Sequence, residues 1–256
     1  MLKPYHPALV VLIGLNLLLF LVGQTGSGPE GFDLGESGAL WALKNRHYRT
    51  WQWFSHMFLH SGLLHLAFNM YGLGMFGAPL LRVWRTRRFL LLYFAAGLAG
   101  AALQWIANGI ALDQDIAAFA AAQGIGTDAV RTILDKGYGP AHLVDAMSDS
   151  LIGRFNMHML GASGAVFGVL AAFSLRYPKV PLMLVFVPVP VQARYFVLGI
   201  VGYELFAEFT GVSLFGGGIA HLAHVGGALA GWLLGRLWLG KDDTRPAGSR
   251  FIWLEA

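Results

Sequence analysis

The sequence predicts an all-α polytopic membrane protein: a bundle of six transmembrane helices carrying a helical outer insertion at about residues 109–153. Three observations predict it. Hydrophobic residues make up 56% of the chain and charged residues 12%, about half the charged share of a soluble domain. Thirty-four glycines accompany the apolar excess, and glycine is commoner in membrane helices than in soluble ones. Six apolar runs recur along the chain, each near the roughly 17–20 residues that a span needs.

The runs fall at about 7–23, 62–81, 88–108, 160–177, 193–210 and 218–239. The first reads as a retained span and not as a signal peptide, because Asn16 interrupts it and one lysine precedes it. Arg88 and Asn108 bound the third. The fifth follows Pro188-Val189-Pro190, which stops a helix from starting earlier. Between the third and fourth lies the long segment 109–153. There Thr127-Asp128 suits a helix start and Gly137 an end, Pro140 can open a second helix to about Ser150, and the amphipathic stretches suit a membrane surface. The membrane domain therefore runs over 1–240, insertion included. Residues 241–256 form a short tail whose Phe251 and Trp253 suit the interface.

Lysine and arginine set the orientation. Lys3, the Arg82–Arg88 cluster, Arg176, Lys179, Arg194, Arg236 and the tail cations share one side; Lys44, Arg46, Arg49, Arg131, Lys136 and Arg154 share the other. The richer side is predicted to be cytoplasmic, and it holds both termini. The Arg82–Arg88 cluster then meets anionic headgroups of the bilayer; no nucleic-acid partner is expected. The start of the chain carries no obvious transit peptide, which points to a bacterial inner membrane. Without cysteine there is no disulfide framework, thiol nucleophile or cysteine zinc site, and no HExxH motif suggests a metalloprotease. No metal and no cofactor is expected.

Polar residues inside spans are costly and therefore informative. His65 and Asn69 share one face of the second span, one turn apart, and Ser61 suits its cap. Ser163 falls in the first turn of the fourth span, and His224 about two turns into the sixth. All three spans run inward from the outer side, so these four side chains lie at similar depth. Serine with a histidine base suits acyl transfer. Asn or His side chains and the free N–H groups of a helix start suit the oxyanion that such chemistry creates. Each residue alone also has a plainer role: Ser163 as a cap, the histidines and Asn69 as interhelical hydrogen-bond partners, Gly161, Gly164, Gly168, Gly227 and Gly231 as close-packing positions. In the fifth span Glu204 and Glu208 stand one turn apart. They suit either hydrogen bonding within the bundle, with Glu208 reaching outward, or a proton relay in a transporter, for which no inverted repeat is visible.

Three motifs resemble those of the rhomboid intramembrane serine proteases. Gly161-Ala162-Ser163-Gly164-Ala165-Val166-Phe167-Gly168 is similar to the family's GxSGxxxG, the run from Ala223-His224 to Gly231 to its AHxxGxxxG, and the run from His60 through His65 to Asn69 to its HxxxxHxxxN. The resemblance implies Ser163 as nucleophile and His224 as base in a dyad, with His65, Asn69 and the Ser163 N–H as the oxyanion hole. It also implies Phe167 packing beside the base, His60 as a structural residue, and Gly227 drawing the sixth span onto the fourth. His221 competes as base, but the downstream glycine spacing favours His224. Transmembrane-helix substrates would be cut near the outer face after entering past the fifth span. Many relatives carry a Trp-Arg pair where Trp51-Gln52 stands here, which puts the loop contacts in doubt. The insertion is longer than in the simplest relatives, leaving two roles open: restricting access or binding a partner. A catalytically silent relative that binds client helices is the alternative function.

Overall fold

A computed structural model describes residues 6–24, 33–184, 187–214 and 218–239. The tail, with Phe251 and Trp253, lies outside the described residues. The structure is mostly helical. Six long helices occupy the six apolar runs: α1 (Pro7–Gln24), α4 (Leu63–Val83), α5 (Thr86–Gln123), α9 (Ser163–Arg176), α10 (Ala193–Thr210) and α11 (His221–Trp238). Short elements fill the rest. They are α2 (Leu34–Gly38), β1 (Leu40–Trp41) and α3 (Gln52–Ser55) before α4; α6 (Thr127–Lys136), α7 (Ala141–Asp145), α8 (Asp149–Phe155) and β2 (His158–Met159) before α9; and the hairpin β3 (Pro181–Leu184) and β4 (Val187–Gln192) before α10.

The helices α5, α9 and α11 form the centre, each packed on the other two, with α4 against α9, α1 against α4 and α10 against α11. Leu9 and Leu12 of α1, Leu73 and Leu80 of α4, Phe89, Leu92 and Tyr93 of α5, and Ala165, Val169 and Phe173 of α9 share one apolar core. The outward faces are apolar too: Val11 and Leu18 on α1, Leu198 and Phe209 on α10, Leu233 and Leu237 on α11 are exposed. Such a surface matches lipid better than water. By length and composition α1 and α5 qualify as membrane spans, and α9 is apolar but shorter. Internal polar residues dilute α4 (His65, Asn69), α10 (Glu204, Glu208) and α11 (His221, His224).

Several sequence expectations need correction. The third run ends at 108, yet its helix continues to Gln123. At 38 residues α5 is about 57 Å long, far beyond the roughly 30 Å of a hydrocarbon core. Hydropathy falls after Ile110, but alanine-rich sequence keeps helix propensity high until Gly124 closes the helix at φ 65°. The cap of α6 is Gly126, without a side-chain bond, in place of Thr127 or Asp128. Gly137 does end α6, at φ 74°, its N–H bonded to the Ile133 carbonyl. The helix opened by Pro140 breaks after Asp145, and a new one starts behind Ser148, whose Oγ accepts the Leu151 N–H at 3.3 Å. The apolar faces of this insertion turn inward: Val130, Ile133, Leu143, Leu151 and Phe155 close over Leu112 and Ile116 of the α5 overhang in a core of their own.

The insertion is tied to the first outer loop. β1 pairs antiparallel with β2, Leu40 opposite Met159 and Trp41 opposite His158. Trp105 Nε1 donates to the Trp41 carbonyl at 3.0 Å, and Asn45 Nδ2 to the Phe155 carbonyl at 3.0 Å. These contacts hold the strand that leads into Gly161 and Ser163.

Candidate active site

Ser163 is the first residue of α9, so its N–H has no partner within the helix and sits at the positive end of the dipole. His224 lies one turn into α11, which begins at His221, a turn later than the sequence suggests. Their side chains meet: Ser163 Oγ lies 2.8 Å from His224 Nε2. Glycine makes this possible. A Cβ on Gly227 would collide with the Gly164 carbonyl, and one on Gly231 with the Gly168 carbonyl, so α11 and α9 touch backbone to backbone. The Phe167 ring lies flat on the His224 imidazole, centroids 4.3 Å apart and planes 6° from parallel.

The chain enters α9 through Gly161, whose φ of 130° disfavours any side chain. Its N–H donates to the His56 carbonyl at 2.8 Å. A Cβ at Gly161 would stand 2.8 Å from both Cε1 and Nε2 of His65 and 3.8 Å from Ser163 Oγ, which places the His65 ring beside the turn that leads into Ser163. Ser61 does not cap α4, whose cap is Gly62; its Oγ instead contacts His65 Nδ1 at 3.1 Å and orients that ring. Asn69 is buried one turn on, with one N–H tied to the His65 carbonyl at 2.9 Å and the other available. His60 packs edge-on against His65 at 5.0 Å. Burial, and after it the neighbouring His65, holds His60 down to about 4; burial likewise holds His56 down to about 4. Both rings are therefore neutral at ordinary pH.

Gln52 resolves the doubt over the first outer loop. It is fully buried, and its Oε1 accepts the N–H groups of Arg49 at 3.0 Å and Trp41 at 3.4 Å. Its Nε2 donates to the carbonyls of His47 at 2.8 Å and Ser37 at 3.2 Å. Its own carbonyl pairs with His56 Nδ1 at 2.8 Å, so one uncharged residue ties the loop to the turn before Ser163. A cavity of about 30 Å³ beside Ser163, bounded by His56, Gly161 and Ala220, has room for water.

The expected hydrogen bonding of Glu204 within the bundle has partners that the sequence did not name. Glu204 of α10 is buried against both α11 histidines: its Oε2 is 2.5 Å from His221 Nδ1, and its Oε1 is 3.0 Å from His224 Nδ1. The first is a well-formed hydrogen bond; the second is a close approach off the N–H axis. His221 thus faces Glu204 and His224 faces Ser163. The signal was present, since Glu204 is six residues before the end of α10 and the histidines open the helix that follows.

Fold and site together define the class: a helical membrane protein whose central helices bring a serine and a histidine into hydrogen-bond contact. The chain belongs to the rhomboid family, a membrane-integral family of protease type, and residues 47–241 match the Rhomboid domain. It is 30% identical over 95 residues to "Rhomboid protease GluP" of Bacillus subtilis, covering 37% of this chain and 19% of that protein. It is 40% identical over 76 residues to "Rhomboid protein 1, mitochondrial" of Saccharomyces cerevisiae, covering 30% of this chain and 21% of that protein. The matched segments thus span about a fifth of these relatives' lengths.

Proposed function

We propose that the protein is an intramembrane serine endopeptidase that hydrolyses peptide bonds in or near transmembrane helices of other membrane proteins. The observation that carries the reading is the 2.8 Å contact between Ser163 Oγ and His224 Nε2. In this reading α1, α4, α5, α9, α10 and α11 each span the bilayer. Both termini are cytoplasmic, and the Ser163 end of α9 faces outward; a bacterial inner membrane suits this layout.

The chemistry follows from the contacts. His224 Nε2 takes the hydroxyl proton as Ser163 Oγ bonds to the substrate carbonyl carbon. The carbonyl oxygen becomes an oxyanion, for which the Ser163 N–H, His65 and Asn69 are the available donors. The intermediate collapses by breaking the C–N bond, and His224 returns its proton to the leaving nitrogen. Water then repeats the attack on the acyl-enzyme, assisted by the same base. Access for a substrate helix is easiest past α10, where Ala193, Glu204 and Ala207 are the buried residues.

The test uses purified protein in lipid vesicles with a single-span model substrate. Cleavage by the unaltered chain and its loss in Ser163→Ala and His224→Ala, by roughly 10⁴-fold or more, is the expected result. A fluorophosphonate should label Ser163. Undiminished cleavage by Ser163→Ala would sink the assignment, and substrate binding with neither cleavage nor labelling in the unaltered chain would favour the client-binding alternative.

A further inference from the structure

We propose that Glu204 is a positioning residue for His224, so that the Ser163–His224 pair of α9 and α11 is backed by a carboxylate from α10. The inference rests on the protease reading.

The geometry gives the carboxylate two partners at once. When Nε2 of His224 accepts the Ser163 proton, the other ring proton is on Nδ1, and Nδ1 faces Glu204 Oε1 at 3.0 Å. Nδ1 is buried, and the Glu204 carboxylate 3.0 Å away, though off the N–H axis, favours the tautomer that carries its proton there. The second oxygen is fixed by His221 Nδ1 at 2.5 Å, which stops the carboxylate from rotating away. Phe167 lies on the face of the imidazole and fixes its plane, while Glu204 acts at its edge. As Ser163 loses its proton, His224 becomes an imidazolium whose positive charge develops 3.0 Å from a buried carboxylate. In a site shielded from water that attraction favours the transition state over the resting state.

A bland account is available: Glu204 and His221 form a buried polar tie that merely joins α10 to α11. Such a tie would be costly to bury and would act on stability alone. The two accounts separate by what they change. Losing a tie lowers the melting temperature and the folded fraction, but each folded molecule keeps its nucleophile. Losing a positioning carboxylate slows the chemistry of every folded molecule.

The experiment compares the unaltered chain with Glu204→Gln and Glu204→Asp in vesicles. It measures kcat, KM, the melting temperature, and the rate of fluorophosphonate labelling of Ser163 per folded molecule. Labelling needs no substrate helix to enter, so it isolates the nucleophile from access past α10. Glu204→Gln should lower kcat and the labelling rate together by about ten- to a hundredfold, with KM within about threefold. This is less than the ~10⁴ known for a triad aspartate in a soluble serine protease, because the Nδ1 contact is off-axis and Phe167 still holds the ring. Glu204→Asp, which keeps the charge, should recover part of the loss in both. Unchanged labelling per folded molecule in Glu204→Gln, whatever its melting temperature, overturns the proposal. So does equal loss in Glu204→Asp and Glu204→Gln. Should Glu204→Gln not fold, a labelling rate in folded Glu204→Asp equal to that of the unaltered chain overturns it. An unaltered chain that neither cleaves nor labels would instead remove the protease reading itself.

Discussion

Gly161→Ala separates the geometry around His65, on the proposed oxyanion side, from that of Ser163, the proposed nucleophile. Two costs arise from a single methyl group. The backbone there has φ 130°, where a side chain costs on the order of 1–3 kcal/mol. The new Cβ would also stand 2.8 Å from His65 Cε1 and Nε2, some tenths of an ångström inside ordinary contact, so the ring must retreat. Ser163 Oγ, at 3.8 Å, is left undisturbed. A displacement of about 1 Å at a catalytic group costs up to about a hundredfold, so kcat should fall by roughly ten- to a hundredfold while fluorophosphonate labelling still occurs. The assay is a double-mutant cycle with His65→Ala. If the methyl acts through the His65 ring, it should cost little in kcat once that ring is gone, leaving only the backbone strain as a lower melting temperature. Strict additivity of the two losses would refute the reasoning, because the methyl would then act on Ser163 and not on His65.

Three further outcomes are expected. Gln52→Ala leaves the buried N–H of Trp41 and several loop groups without partners and should destabilise the fold by about 2–4 kcal/mol, read as a fall in melting temperature; an unchanged value would mean that the loop is held elsewhere. His56 and His60, held at about 4 against an ordinary 6.5, bind fewer protons folded than unfolded. Stability should therefore be full above pH 6.5 and decline as pH falls towards 4, by about 3 kcal/mol for each ring; a melting temperature flat over that window would contradict the burial of both. Ile116→Ala, in the core of the insertion, should cost about 2–5 kcal/mol locally, raise proteolysis between 124 and 155, and leave kcat within about threefold. A kcat that falls in step with proteolysis would show that the insertion supports the site.

The sequence shows some layers of this molecule better than others. Apolar runs located the six long helices, since hydropathy reports burial in lipid or core directly. The α5 overhang escaped because hydropathy does not report helix as such; Ala111, Ala117, Ala118 and Ala120–Ala122 favour helix whatever the solvent. The strand pair Leu40–Trp41 with His158–Met159 joins segments more than a hundred residues apart, and two-residue strands carry no periodicity to read. At the site, the glycine spacing after His224 singled out the histidine whose Nε2 faces Ser163 Oγ, because helices packed backbone to backbone leave a period in the sequence. Glu204 stood out as a carboxylate inside a span, but its partner left no such mark. Its partner is chosen by the approach of α10 to α11, which no single-span reading contains, although the matching depths on consecutive helices pointed that way.

The glycine contacts also explain why function and stability cannot be perturbed independently along most of α11. In lipid, apolar side chains gain nothing by leaving one helix surface for another, so association depends on close backbone packing and a few polar contacts. Here the close packing is Gly164 against Gly227 and Gly168 against Gly231, and the first pair lies one residue after Ser163 and three after His224. The contact that holds the helices together is therefore the contact that sets the 2.8 Å separation of Oγ and Nε2. A methyl on Gly227 pushes against a carbonyl, which has no rotamer to yield, so the helices must part and the Ser163–His224 bond lengthens with them. At Gly161 the obstacle is a side-chain ring on a third helix, which can move without spreading α9 from α11. That difference, between a backbone and a ring as the nearest neighbour, is why Gly161 can dissect the site while Gly227 can only dismantle it.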